Sequence, residues 1–175
     1  MKTQGQKIYL TDFTVKHCKL SYEWIKDPET NKFLAVTPPK TLKDQLKWFR
    51  ESSKSKSDKI FAIHDQETDT YIGNCGIHQL SEENQNCFIG IMIGNKNYWD
   101  KGYGTDVIKT LLKYCFTKLK MHKVMLTVFT DNIRAQKCYR KAGFKTLTTF
   151  KEQILKDGKR IDEYVMEIFA KDWEE

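Results

Sequence analysis

Apolar residues along this chain recur with two periods, near two residues in some stretches and near 3.6 in others, and the switches between them outline its elements. Residues 8–13 read as a short strand. Over residues 14–26, Val15, Cys18, Tyr22 and Ile25 recur at helical spacing until Asp27-Pro28 ends the pattern. Residues 31–39 hold Phe33, Leu34, Val36 and two prolines, which predicts a loop. Thr41 followed by Asp44 predicts a capped helix carrying Leu42, Leu46, Trp48 and Phe49, fading into a polar run at 52–57.

Residues 60–64 and 71–80 read as paired strands, and 87–93 as the next strand after a polar turn. Gly90 and Gly94, within and after that strand, are costly to regular pairing unless backbone is exposed or bulged there. From 106 to 120, Val107, Ile108, Leu111, Leu112, Cys115, Phe116 and Leu119 share one helical face. Lys109, Lys113, Lys118 and Lys120 lie on the other, a solvated side. A strand at 123–130 and a helix from Asp131-Asn132 to Gly143 follow, then strands at 144–154 and 160–169 around the hairpin signal Asp157-Gly158. No repeat or linker divides the chain, so residues 1–175 are expected to form one domain.

Gly102 and Gly104 flank Tyr103 immediately before the long helical pattern. The start of a helix presents unpaired N–H groups and the positive end of the helix dipole. Glycine there lets backbone approach a ligand closely, so the position and composition suit a pyrophosphate cradle, with Lys101 beside it. A P-loop is excluded because Gly-x-x-x-x-Gly-Lys-Ser/Thr is absent, and a dinucleotide fingerprint because Val107 stands where its third glycine belongs.

Residues 86–144 resemble the core of the Gcn5-related N-acetyltransferase (GNAT) superfamily, which moves acetyl from acetyl-coenzyme A to an amine. Its loop pattern Arg/Gln-x-x-Gly-x-Gly/Ala is matched by Trp99-Asp100-Lys101-Gly102-Tyr103-Gly104, with Trp99 in place of Arg or Gln. Extended through Thr105, this form is similar to the branch holding ribosomal-protein amino-terminal and spermidine acetyltransferases. Asn132-x-x-Ala135-x-x-x-Tyr139-x-x-x-Gly143-Phe144 supplies a second match.

The resemblance implies an α+β (α/β) GNAT fold: a mixed, mostly antiparallel sheet of six to seven strands, a splayed central parallel pair and about four helices. It implies acetyl-CoA as co-substrate, no metal, and transfer by direct attack in a ternary complex, which suits a chain without a Ser-His-Asp or Cys-His signature. Residues 99–105 would hold the diphosphate and Asn132 the pantetheine arm. The backbone of Ile91, Met92 and Ile93 would pair with that arm, an amide of Ile91 or Met92 stabilising the oxyanion. Tyr139 would protonate the departing thiolate, since a phenol with pKa about 10 is protonated at neutral pH. His78, whose imidazole belongs to the type that titrates near neutrality, is the expected base, with Glu82 and Glu83 as alternatives acting through water.

Residues 24–50 are expected to wall the acceptor, with Trp24, Phe33, Trp48 and Phe49 as lining groups; core packing is the competing fate of each. The preferred acceptor is a small molecule such as a nucleotide-linked amino sugar, because the Glu23–Glu29 and Trp48-Phe49 stretches resemble acetyltransferases of surface-sugar biosynthesis. A peptide α-amine and a polyamine are alternatives, and a non-catalytic CoA-binding regulatory module is the competing class.

Composition narrows the rest. A chain of 175 residues with 39% hydrophobic and 13% aromatic content has material for a core. The polar opening lacks an apolar signal region and no apolar run reaches the roughly 18 residues of a membrane span, so a soluble cytoplasmic protein is expected. Five scattered cysteines show neither zinc spacing nor a disulfide framework. The net charge of +7 invites nucleic acid, but aromatics are not interleaved with the basic residues, and the phosphates of CoA give Lys96 and Lys101 a simpler use. No nucleic-acid or membrane partner is expected, and the chain is read as a monomer or homodimer.

Overall fold

The computed structural model describes residues 2–174. Among them, eight strands form one sheet in the order β1-β2-β3-β4-β5-β6-β8-β7. The strands are β1 (Lys2–Gln4), β2 (Ile8–Asp12), β3 (Lys59–Asp65), β4 (Tyr71–Ser81), β5 (Asn86–Ile93), β6 (Lys123–Phe129), β7 (Lys145–Lys156) and β8 (Lys159–Phe169). The helices are α1 (Val15–Lys26), α2 (Pro28–Asn31), α3 (Leu42–Ser52), α4 (Tyr103–Lys113) and α5 (Ile133–Lys141). The count exceeds the sequence expectation by β1, three residues long, and by α2. Proline at the first position of α2 and an Asp27 carboxylate accepting from the Thr30 amide start a turn of helix where a loop was expected nearby.

Local chemistry sets the other ends. Thr41 and Asp44 form the anticipated capping box of α3, while His17 takes the acidic partner's role opposite Thr14 at α1. The α4 pattern holds to Lys113, then widens into a π-helical turn over Tyr114–Lys118. Asp157 and Gly158 both have positive φ, the requirement of a tight hairpin turn, so β7 and β8 pair as expected.

Ile8, Leu10, Ile63, Ile72 and Ile77 on the sheet meet Val107, Ile108, Leu111 and Leu112 of α4, all buried. Each such side chain contributes about 1.5–3 kcal/mol on burial. On the opposite face a smaller cluster of Phe13, Cys18 and Ala62 lies beneath Leu46 and Phe49. All pairings are antiparallel except β5 with β6. That parallel pair is joined only at Asn86, Cys87 and Phe88 against Lys123, Val124 and Met125. Beyond Phe88 and Met125 the strands part, forming a fork in the middle of the sheet.

Candidate active site

The fork opens into a cavity of about 590 Å³, within the usual size range of small-molecule sites. Ile91, Met92 and Ile93 of β5 line one side, and Thr127 and Val128 of β6 the other. Gly102 caps α4 at φ +83°, a left-handed conformation that glycine adopts without strain. No side chain caps the first turn of α4, and Gly102, Gly104 and Thr105 at its mouth line the cavity.

Two anchors aim that mouth. The Asp106 carboxylate accepts hydrogen bonds from the amides of Gln6, Lys7 and Ile8, tying α4 to the entry of β2. The Tyr103 phenol donates to Asp65 Oδ1 at 2.9 Å, and burial, then the adjoining carboxylate, push it up to about 12. Tyr103 therefore faces away from the cavity. Lys101 is also outside the lining, its Nζ donating to the Asn97 carbonyl. Lys96 is engaged elsewhere as well, 2.8 Å from Asp27 and 2.6 Å from Glu29.

The positive charge at the site comes instead from α5. Arg134, Lys137 and Lys141 line the cavity along one helical stripe, a spacing visible in the sequence but not picked out there. The Arg134 guanidinium lies 4.1 Å from the Trp99 ring centroid and 3.9 Å from the Asp100 carboxylate. Trp99 lines the cavity too, and its indole donates to the Ile93 carbonyl at 2.7 Å, pinning the end of β5. The tryptophan at the loop's first position thus has a structural role that its departure from Arg or Gln did not reveal.

Buried Gln136 donates to the Phe129 and Thr130 carbonyls, fixing α5 against β6. On that helix Asn132 Oδ1 accepts from the Ala135 amide while its side chain lines the cavity, so capping and exposure to a ligand coexist. Tyr139, one helical face along, is buried at 8% exposure and lines the cavity, and its phenol hydroxyl engages no hydrogen bond among the described residues. Burial pushes its phenol well above the ordinary range. Cys138 beside it accepts from the Thr105 hydroxyl, and burial raises its thiol, which keeps it protonated.

Of the expected acceptor wall, Phe33 lines the cavity, joined by Glu29, Thr30 and Leu34. Trp24 does not: its ring packs on Tyr71 at 4.9 Å and covers Gly94, where a Cβ would sit 2.0 Å from the indole. Trp48 does not either, packing edge-on against Phe13, and Phe49 joins the same cluster. Both tryptophans are correctly apolar but serve the helix packing on that face. His78 also lies outside the lining. Its ring stands over Gly76 and Gly90 with Nδ1 3.4 Å from Asp58 Oδ1. Glu82 and Glu83 are exposed in the turn before β5, at the far end of that strand from Ile93.

The acetyltransferase (GNAT) domain family matches residues 7–145. An uncharacterized N-acetyltransferase, p20, of Bacillus licheniformis is 25% identical over 96% of each chain. A second, YnaD of Bacillus subtilis, is 24% identical over 99% of each. In structure, the chain is similar to a spermidine N-acetyltransferase of Vibrio cholerae in complex with CoA and spermine, with TM-score 0.88 and 18% identity over 95% of this chain and 97% of that one. It is similar also to a GNAT-family acetyltransferase of Bacillus anthracis, with TM-score 0.85 and 20% identity over 98% and 99%.

Proposed function

The chain belongs to the GNAT acetyltransferase family, and on that premise we propose that it moves acetyl from acetyl-coenzyme A to the primary amine of a small cationic acceptor. The uncapped, glycine-led mouth of α4 inside the forked cavity carries this reading. Those amides and the stripe of Arg134, Lys137 and Lys141 suit the phosphates of the co-substrate, which supplies the activated acetyl group. The parted edge of β5 offers the pantetheine arm backbone at Ile91, Met92 and Ile93, and Asn132 offers its amide. An amide of Ile91 or Met92 stabilises the oxyanion that forms as the amine adds to the acetyl carbonyl. Tyr139 gives its proton to the leaving sulfur; burial keeps the phenol protonated and no protein acceptor competes among the described residues.

The acceptor class rests on the wall built by α2 and the loop after it. Its charged lining residue is Glu29, which with Asp27 shares the Lys96 ammonium. Phe33 and Leu34 supply apolar surface for a carbon chain. A nucleotide-linked sugar would need cations for its diphosphate on this wall, and the lining cations all belong to α5. A di- or polyamine therefore fits better than the amino sugar expected from the sequence, and the structurally similar spermidine acetyltransferase is in keeping with that.

A thiol-release assay over polyamines, nucleotide-linked amino sugars and peptide amines tests the reading. The highest kcat/KM is expected on a polyamine. Best turnover on a nucleotide-linked sugar overturns the acceptor class. Thermal stabilisation by acetyl-CoA without turnover on any amine overturns the transferase in favour of a regulatory module.

A further inference from the structure

Asp65 and Glu163 are the buried carboxylates among the described residues. Asp65 is engaged by hydrogen bonds from Thr68 and Tyr103. Glu163, 5% exposed, has no cationic partner among the described residues; the Thr127 hydroxyl, diagonal to it on the neighbouring strand, is the polar group that steadies its charged form. A carboxylate in that position is expensive to keep unless something supplies the missing cation.

Register shows where Glu163 stands. It pairs with Phe129 of β6 and Phe150 of β7, so Thr127, Phe129 and Glu163 share one face of the sheet. Phe88 pairs with Met125, which puts Gly90 and the His78 ring above it on that same face. Thr127 lies two residues beyond Met125, at the fork itself, and is an exposed cavity-lining residue together with Ile91 and Tyr139. Its hydroxyl is thus the polar link between the cavity and the carboxylate behind it.

We propose that Glu163, acting through the Thr127 hydroxyl, takes the proton that the acceptor ammonium must lose before its nitrogen can attack the thioester. This rests on the transferase reading above. One ammonium proton passes to the Thr127 oxygen as the hydroxyl's own proton passes to the Glu163 carboxylate. The freed electron pair on nitrogen forms the C–N bond to the acetyl carbon. The C–S bond breaks with its electron pair on sulfur, which takes the Tyr139 proton. The second proton shed by nitrogen as the amide forms restores the phenol, and Glu163 returns its proton to solvent. Glu163 is a positioning residue in this scheme, and Thr127 is the group that touches the amine.

Burial raises the Glu163 pKa, only partly offset by the nearby Thr127 hydroxyl, and Phe129 and Phe150 opposite it carry no charge. A raised carboxyl binds its proton more tightly in the folded chain, so stability falls as pH rises from the ordinary carboxylate range through the raised value. Glu163→Gln should therefore leave the Tm at pH 7.5 unchanged or higher, where a structural carboxylate would lower it.

The kinetic test compares wild type with Glu163→Gln, Thr127→Val and Thr127→Ser. For an alkylammonium acceptor, the first two should lower kcat about 10²-fold or more, and Thr127→Ser should stay within about threefold of wild type. With an amine of low pKa, already neutral at the assay pH, the loss in Glu163→Gln should shrink to a few fold. An unchanged kcat in Glu163→Gln, an equal loss on neutral and charged amines, or the loss appearing in His78→Ala instead would overturn the relay. Active wild type with unperturbed Glu163→Gln overturns the relay alone; wild type inert toward every amine overturns the transferase reading with it.

Discussion

Tyr139 joins a buried ring to a hydroxyl with no protein partner among the described residues, and that combination gives the sharpest single-residue expectation. Tyr139→Phe should lower kcat about 10²–10⁴-fold while the KM for acetyl-CoA changes little, read from initial rates with each substrate varied. Gly94→Ala is expected to act on stability instead. The new methyl would meet the Trp24 indole at 2.0 Å, and overpacking of this kind costs about 1–3 kcal/mol, visible as a lower denaturant midpoint at unchanged m. These two residues also mark what a sequence can and cannot disclose at this scale. Tyr139 stood in a spaced pattern whose register fixes its direction. Trp24 announced only that it would be covered, because an aromatic side chain does not say by what. Glu163 gave no signal at all: its meaning comes from Thr127, 36 positions away, on the neighbouring strand.

Elements with a local cause were legible. The apolar face of α4, the Thr41 capping box and the Asp157-Gly158 turn each depend on residues within a few positions of one another. The wall over the acceptor was not, because it is held from a distance. Lys156, at the tip of the β7–β8 hairpin, donates to the carbonyls of Asn31 and Leu34 and to Asn31 Oδ1, at 2.7–2.8 Å. Lys156→Met leaves the Leu34 carbonyl and Asn31 Oδ1 without that donor and should cost about 1–3 kcal/mol by denaturation. It should also raise the acceptor KM severalfold while the acetyl-CoA KM stays put. The bridge from Lys96 to α2 adds a pH signature. The hydrogen bond from Lys96, then that of the Thr30 amide, hold the Asp27 carboxyl down at about 2 against an ordinary 3.8. Its stabilising share is present above pH 3.8 and is lost as pH falls through 2. Lys96→Met should flatten that part of the acid-unfolding curve relative to wild type, followed by circular dichroism.

At the scale of the whole molecule, the +7 charge invited readings that the placement of its cations narrows. Arg134, Lys137 and Lys141 converge on the cavity, so acetyl-CoA affinity should weaken as salt rises, by isothermal calorimetry. Acetyl-CoA at a hundredfold its Kd should add about 2.7 kcal/mol, roughly 5–10 °C in Tm. No helix among the described residues is long and apolar enough to cross a membrane. The sheet's central joint, three residue pairs long, has a mechanical consequence. Within the sheet, β1–β5 and β6–β8 are two plates stitched along one short seam. The seam is the natural place for them to swing apart, so the amide hydrogens at 86–88 and 123–125 should exchange with deuterium sooner than those of the flanking antiparallel ladders. A molecule wedged into the gap would act as a second stitch, and protection should spread outward from the seam as it binds.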